Sequence, residues 1–268
     1  MESLEAERDR ARELDVDDLA DAIESIGFEC TRCGACCKGY EPTQADESVA
    51  GGDDTVAGEA EVDDAGKPPE REPHTATVFP DEVRALLDAA NVDGDVDHEE
   101  PSESYDWRDV ARPMPYGLYG TADGDVAGET FEWALAVDDC GDCSFYQETD
   151  GQGACTVHDD RPLVCRTYPF SVALGGTSQP MGEAVDGEGM VRAHECEGLG
   201  REIDREDARE LAEALKTRAV REIEEAIGVR DRYDPGVAAE GDAAVVVFDS
   251  EGAKRADGRP IEVNPDEE

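Results

Sequence analysis

The sequence predicts an α+β fold: a small metal-fastened domain of helices and short strands, interrupted by a disordered acidic insertion. Three observations lead there. Apolar residues recur at helical spacing in separate stretches, short apolar runs read as strands, and nine cysteines fall into clusters. Only 38% of the 268 residues are hydrophobic and 35% are charged. A core that thin needs a supplement, and structural zinc can contribute ~10–16 kcal/mol of apparent folding free energy.

Charge narrows the function classes. Acidic residues number 69 against 24 basic ones, a net charge of -45. Such a chain repels nucleic-acid phosphates, whose binding needs Lys and Arg to release counterions, and it repels anionic lipid as well. No apolar run reaches the ~20 residues of a membrane span. Met1-Glu2-Ser3-Leu4-Glu5 lacks the basic-then-apolar layout of a secretory signal. A cytoplasmic location is the expectation, with no nucleic-acid or membrane partner. The acid is spread along the chain, and 20 Arg accompany only Lys38, Lys67, Lys216 and Lys254. That composition resembles cytosolic proteins of extreme halophilic archaea, where salt screens self-repulsion.

The elements follow in order. Residues 2–28 read as helix, with Asp15 or Asp17 capping a segment whose apolar stripe is Leu19, Ile23 and Ile26. Residues 41–76 are acidic and aperiodic, and we expect a mobile insertion there. Residues 80–90 return to helix, with Pro80 in the first turn and Val83, Leu86 and Leu87 on one face. Residues 91–128 read as loop, with Tyr105, Trp107, Tyr116 and Tyr119 covering a small core. Thr130 to Val137 alternates as a strand running into Cys140, and Phe170 to Leu174 is a second strand. The clearest helix is 205–227, with the stripe Ala208, Leu211, Leu215, Ala219, Ile223 and Ile227 stopped by Gly228. Residues 243–263 suggest a hairpin. The division is a cysteine domain over 1–228 and a C-terminal extension over 229–268.

The chemistry lies in Cys30-Thr31-Arg32-Cys33-Gly34-Ala35-Cys36-Cys37. Thiols three residues apart can turn toward one point, and Gly34 permits the tight backbone. C-x2-C pairs serve zinc and iron–sulfur clusters alike. In a reducing compartment clustered thiols are metal ligands more often than disulfides. Adjacent Cys36 and Cys37 are not expected to point the same way; one serves this site, and the other bridges to a second site or stays free. Cys143, Cys155, Cys165 and Cys196 follow, with Cys140 nearby. Eight thiolates suffice for two four-cysteine sites, or for one with spare thiols. From Phe28 to Tyr40, Arg32 and Lys38 stand against Glu29, a net +1; from Gln152 to Phe170, Arg161 and Arg166 balance Asp159 and Asp160. In so acidic a chain, these stretches suit a negatively charged thiolate centre.

The ordered blocks Phe28-x-Cys30-x-x-Cys33-Gly34-x-Cys36-Cys37, Cys143-x-Phe145, Cys155-x-Val157-x-x-x-Arg161-Pro162-x-x-Cys165-Arg166-x-Tyr168-Pro169-Phe170 and Cys196-x-Gly198-x-Gly200 resemble the YkgJ-type CxxCxxCC cysteine-cluster family. That family is described as zinc- or iron-chelating, and members are often labelled iron–sulfur proteins; one branch includes a flagellin lysine methylase with an iron–sulfur cluster. The resemblance implies a ligand role for Cys30, Cys33, Cys36, Cys37, Cys143, Cys155, Cys165 and Cys196. It leaves out Cys140, the acidic insertion and everything after residue 228.

Other residues carry less. Arg161 and Arg166 are candidates for donating to cluster sulfurs or an anionic substrate, or for ordinary ion pairs. Pro162 and Pro169 fix turns, and Tyr168 and Phe170 are expected to cover the site. His158 and His194 lie near cysteines but are ranked below them as ligands, and His74 and His98 carry no signal. Phosphate-loop, H-E-x-x-H and G-x-S-x-G signatures are absent. A Cys196–His194 nucleophile pair, at i and i+2, has poor geometry. The expectation is an iron–sulfur protein in electron transfer or redox support, with three cysteines at x2 intervals resembling the ferredoxin run. The alternative is a non-catalytic zinc module for storage, delivery or protein interaction. A redox or metal-delivery partner is implied either way.

Overall fold

The computed structural model describes residues 3–40, 72–93, 104–121, 123–150, 152–174, 184–186, 189–240 and 244–261. Helices and short strands mix as expected. In chain order they are α1 (Leu4–Glu13), α2 (Val16–Ile26), β1 (Thr77–Val78), α3 (Pro80–Asp93), α4 (Trp107–Val110), β2 (Ala111–Pro113), β3 (Leu118–Gly120), β4 (Val126–Thr130) and β5 (Trp133–Leu135). Then come β6 (Tyr146–Thr149), β7 (Gln152–Cys155), α5 (Leu163–Thr167), β8 (Phe170–Val172), β9 (Ala184–Asp186), β10 (Val191–His194), α6 (Arg205–Arg232), α7 (Pro235–Glu240), β11 (Val245–Asp249) and β12 (Gly252–Arg255).

The N-terminal helix is two helices. Ser3 caps α1, and the Asp15 carboxylate accepts from the Asp17 and Asp18 amides to start α2 afresh. Leu19 and Ile23 are buried and Ile26 is partly so. Their partner is α6, whose Ala208, Ala212, Leu215, Ala219 and Ile223 face them, with Phe170, Val172, Val191 and Ala193 of the β8–β10–β9 sheet closing the layer. Helix α6 runs four residues past Gly228. That glycine is not a stop; a Cβ there would stand 2.6 Å from the Ser250 Cβ, so its role is close approach to the turn after β11.

The second core gathers Val83 and Leu86 of α3, Val110, Ala111, Trp133 and Leu135, with Phe145 and Val157 from the cysteine region. Residues 91–128 are not simply loop: α4, β2 and β3 lie within them, and β4 begins there. Of their aromatics, Trp107 packs on Trp133 with centroids 5.0 Å apart, whereas Tyr116 and Tyr119 are exposed. The expected strand 130–137 is broken at Phe131–Glu132, where the chain passes from one sheet to another. β4 belongs to the sheet β12-β11-β4-β3, and β5 lies between β1 and β2. The C-terminal hairpin is present, and β11 pairs in parallel with β4. Of the expected insertion, 41–71 lies outside the described residues. Residues 72–76 are built into the fold: Glu72 bridges Tyr40, and His74 is buried with its amide donating to the Gly141 carbonyl at 2.8 Å.

Candidate metal centre

The early cysteine loop leaves α2 through Gly27 (φ 77°), where a Cβ would collide with the Arg201 carbonyl oxygen at 2.4 Å. Backbone bonds then tie the loop to three distant segments. Phe28 bridges Leu199, and the Glu29 amide donates to the Gly198 carbonyl at 3.0 Å, which brings the Cys30 strand alongside Cys196. The Arg32 carbonyl accepts from the Gly153 amide at 3.0 Å, next to Cys155 on β7. The Cys37 carbonyl accepts from the Cys143 amide at 2.8 Å. Gly34 sits in the left-handed region (φ 76°) and opens a single 3-10 turn, Ala35–Cys37. A Cβ on Gly34 would meet the Tyr146 hydroxyl at 2.3 Å, so the turn needs glycine for both conformation and space.

Cys165 arrives on α5, which is pinned from both sides. The Glu82 carboxylate of α3 accepts from the Leu163 amide at 2.9 Å and from its own Phe79 amide at 3.1 Å. On the other side the Thr167 hydroxyl donates to the Leu163 carbonyl at 2.7 Å and accepts from Arg218 of α6 at 3.0 Å. Arg218 is itself buried and paired with Glu222.

Cys36 and Cys37 do point the same way. The 3-10 turn sets their sulfurs 3.8 Å apart, against the expectation that neighbours in sequence would diverge. Two thiolates about 2.3 Å from one tetrahedral ion stand about 3.8 Å apart, so this pair has the spacing of one edge of such a site. Cys36 is exposed, Cys37, Cys155 and Cys165 are half-buried, and Cys143 is buried. Burial pushes the Cys143 thiol up to about 11, and it raises Cys155 and Cys165 as well. Each of these three also feels Cys36, while the half-buried Arg161 opposes the rise at Cys36, Cys155 and Cys165. Cys196 is raised by burial, opposed by the Gly198 amide that donates to its sulfur at 3.4 Å, and it feels Cys33, Cys36 and Cys30. The backbone ties place the Cys30–Cys37 loop beside the segments that carry Cys143, Cys155 and Cys196.

Cys140 stands apart, exposed in the turn Asp138–Asp142 with its amide on the Asp138 carboxylate. Arg161 is half-buried and donates to the His158 carbonyl at 2.9 Å, whereas Arg166 is exposed. His158 is exposed beside Asp159. His194 is buried, with Nε2 2.9 Å from the Ser171 hydroxyl. Phe170 does not cover the thiols; it packs edge-on against Phe28 in the helical core. Tyr146 provides cover instead, filling the space beside Gly34 and Gly153 under Lys38. Neither Glu82 nor Tyr146 carries a motif, and one glutamate among 69 acids gives no signal.

The donor chemistry fits zinc or iron, since soft thiolates select both. Among the described residues, no group of three or more Cys, His, Asp or Glu side chains stands in a ligating arrangement. Within them, the pair Cys36–Cys37 is at ligating distance.

Comparison with known proteins agrees with the chemistry. Residues 114–197, roughly a third of the chain, match the CxxCxxCC family model, described as "Putative zinc- or iron-chelating domain". A CxxCxxCC domain is therefore present there, and it holds Cys140, Cys143, Cys155, Cys165 and Cys196. The quartet Cys30–Cys37 lies outside the matched residues and reaches it through the backbone ties above. Neither the curated proteins nor the solved structures contain a match.

Proposed function

We propose that this chain is a metal-binding protein whose thiol face takes zinc or iron, with Cys36 and Cys37 as two ligands of one ion. The 3.8 Å sulfur separation carries this reading, and the matched domain supports it. Cys143, Cys155 and Cys165 supply further ligands, and Cys30, Cys33 and Cys196 form the adjoining part of the set. Arg161 balances thiolate charge, and Arg166 is left for an anionic ligand or partner.

Two occupants suit an adjacent pair. A lone zinc takes four thiolates, and a two-iron, two-sulfide centre takes two cysteines on each iron. A cubane with one cysteine per iron does not use such an edge. The two-iron reading makes the protein an electron carrier or redox support in the cytoplasm, working with a redox partner; the zinc reading makes it a non-catalytic module for storage, delivery or protein interaction. No helix among the described residues is long and apolar enough to cross a membrane.

Anaerobic purification in high salt, with iron, sulfide and zinc assays and a visible spectrum, separates the two. Matched iron and sulfide with a coloured protein support the cluster. Colourless protein with stoichiometric zinc supports the module. Protein that holds neither after reconstitution overturns both. Cys37→Ser is expected to lose the metal, and unchanged metal content would remove the adjacent pair from the ligand set.

A further inference from the structure

The Cys36–Cys37 pair has a second consequence, independent of which cation the centre holds. Both sulfurs project from one turn of 3-10 helix, 3.8 Å apart, and Cys36 is exposed. Direct closure to a disulfide is disfavoured. Adjacent Cα atoms lie about 3.8 Å apart across a trans peptide, whereas disulfides usually need about 4.4–6.8 Å. The pair is therefore an open dithiol suited to bridging by one intervening atom. The atom must be thiophilic and content with few ligands.

We propose that Cys36 and Cys37 form a binding site for trivalent organoarsenicals, the mono-substituted arsonous acids. Such a compound enters as a neutral dihydroxide with one organic substituent, leaving two positions on arsenic. Condensation forms two As–S bonds, breaks two As–O bonds and two S–H bonds, and releases two waters. Arsenic remains trivalent, and the net charge does not change. The ring formed is one atom larger than that of a disulfide between neighbours, which relieves the short Cα spacing. The second bond closes within the same turn, so it gains the effective concentration of an intramolecular step. Inorganic arsenous acid has three positions to fill, one more than the two sulfurs of the Cys36–Cys37 turn offer. The two-point organic form is thus the better match. Occupancy excludes the proposed metal, because the two share these sulfurs.

The test uses the full chain in high salt, reduced and stripped of metal, with phenylarsonous acid as the probe. The expected result is that the first equivalent adds one phenylarsenic unit in the intact mass and protects two thiols from alkylation. Peptide mapping should assign both to the 34–38 segment. Cys36→Ser or Cys37→Ser is expected to weaken binding roughly 100-fold or more, the loss of a linked second contact, while Cys140→Ser leaves it unchanged. A first equivalent that maps to other cysteines in the wild-type protein overturns the proposal whether or not the variants fold. Tight binding at Cys36–Cys37 in a protein that never acquires zinc or iron would sink the metal reading and leave this one standing. Metal uptake without first-equivalent arsenical capture there would do the reverse.

Discussion

The helical layer and the cysteine face of this molecule are built on opposite plans. In the first, α1 and α2 lie against α6 and bury a continuous apolar stripe whose members recur every three or four residues. In the second, four lengths of chain from residues 28 to 199 meet through single backbone bonds, two-residue bridges and elements of three to five residues. Apolar burial scales with area and needs no exact partner. The cysteine face gives Cys143, Phe145 and Val157 to the second core and leaves Cys36 and Cys30 in solvent. The contrast shows where a bound ion would matter: it would fasten the half assembled from short, separate segments.

Metal removal is the sharpest way to break that contrast. Chelation should withdraw up to the ~10–16 kcal/mol typical of structural zinc in small domains. Amide exchange should then rise across residues 28–40 and 143–167, while α2 and α6 stay protected. Equal loss in both regions would show that they fold as one unit. Leu215→Ala tests the other side. It empties a fully buried site in the helical core and should cost about 2–5 kcal/mol in denaturant, with metal content unchanged.

His74 gives a pH dependence between the two regions. Burial, assisted by Arg112 and opposed by Asp142, pushes its imidazole down to about 4. The neutral form is the folded one. Its contribution is therefore complete above the unfolded value near 6.5 and is lost as pH falls through 4. That corresponds to about 3 kcal/mol, and His74→Leu should flatten this part of the stability–pH curve. Glu82→Gln should cost about 1–3 kcal/mol, because one carboxylate serves two amides and a carboxamide cannot accept at both positions. It should also lower metal affinity through misplacement of the Cys165 helix, measured by competition with a chelator. The smallest effect, about 1 kcal/mol, is expected for Asp15→Ala at the α2 cap, read as a thermal shift with no change in metal binding.

Legibility in the sequence follows the same division. The stripes of α2, α3 and α6 are readable because a helix repeats its burial every 3.6 residues. The start of α2 is legible in Asp15 as a cap, whereas the end of α1 at Leu14 carries no Gly or Pro to mark it. Gly228 was misleading, since close packing against Ser250 and a helix stop both call for glycine. Strands of two or three residues, such as β1, β2 and β3, are too short for alternation to register. The cysteine spacing marked the site, and the matched domain agrees with a metal role. What spacing could not carry was the direction of Cys36 and Cys37, which depends on a 3-10 turn entered from a left-handed glycine. His74 carries no motif; its burial follows from the pairing of Tyr40 with Glu72 and from its own backbone bonds to Gly141 and Arg112.

The long sequence gap between α2 and its partner α6 sets a timetable for synthesis. A ribosome adding roughly 5–20 residues per second takes roughly 10–40 s to travel from Cys30 to the end of α6. During that interval the nascent chain displays its first four thiols with neither helix docked behind them. If the proposed metal role holds, those thiols would meet thiophilic ions before α6 exists to pack behind them.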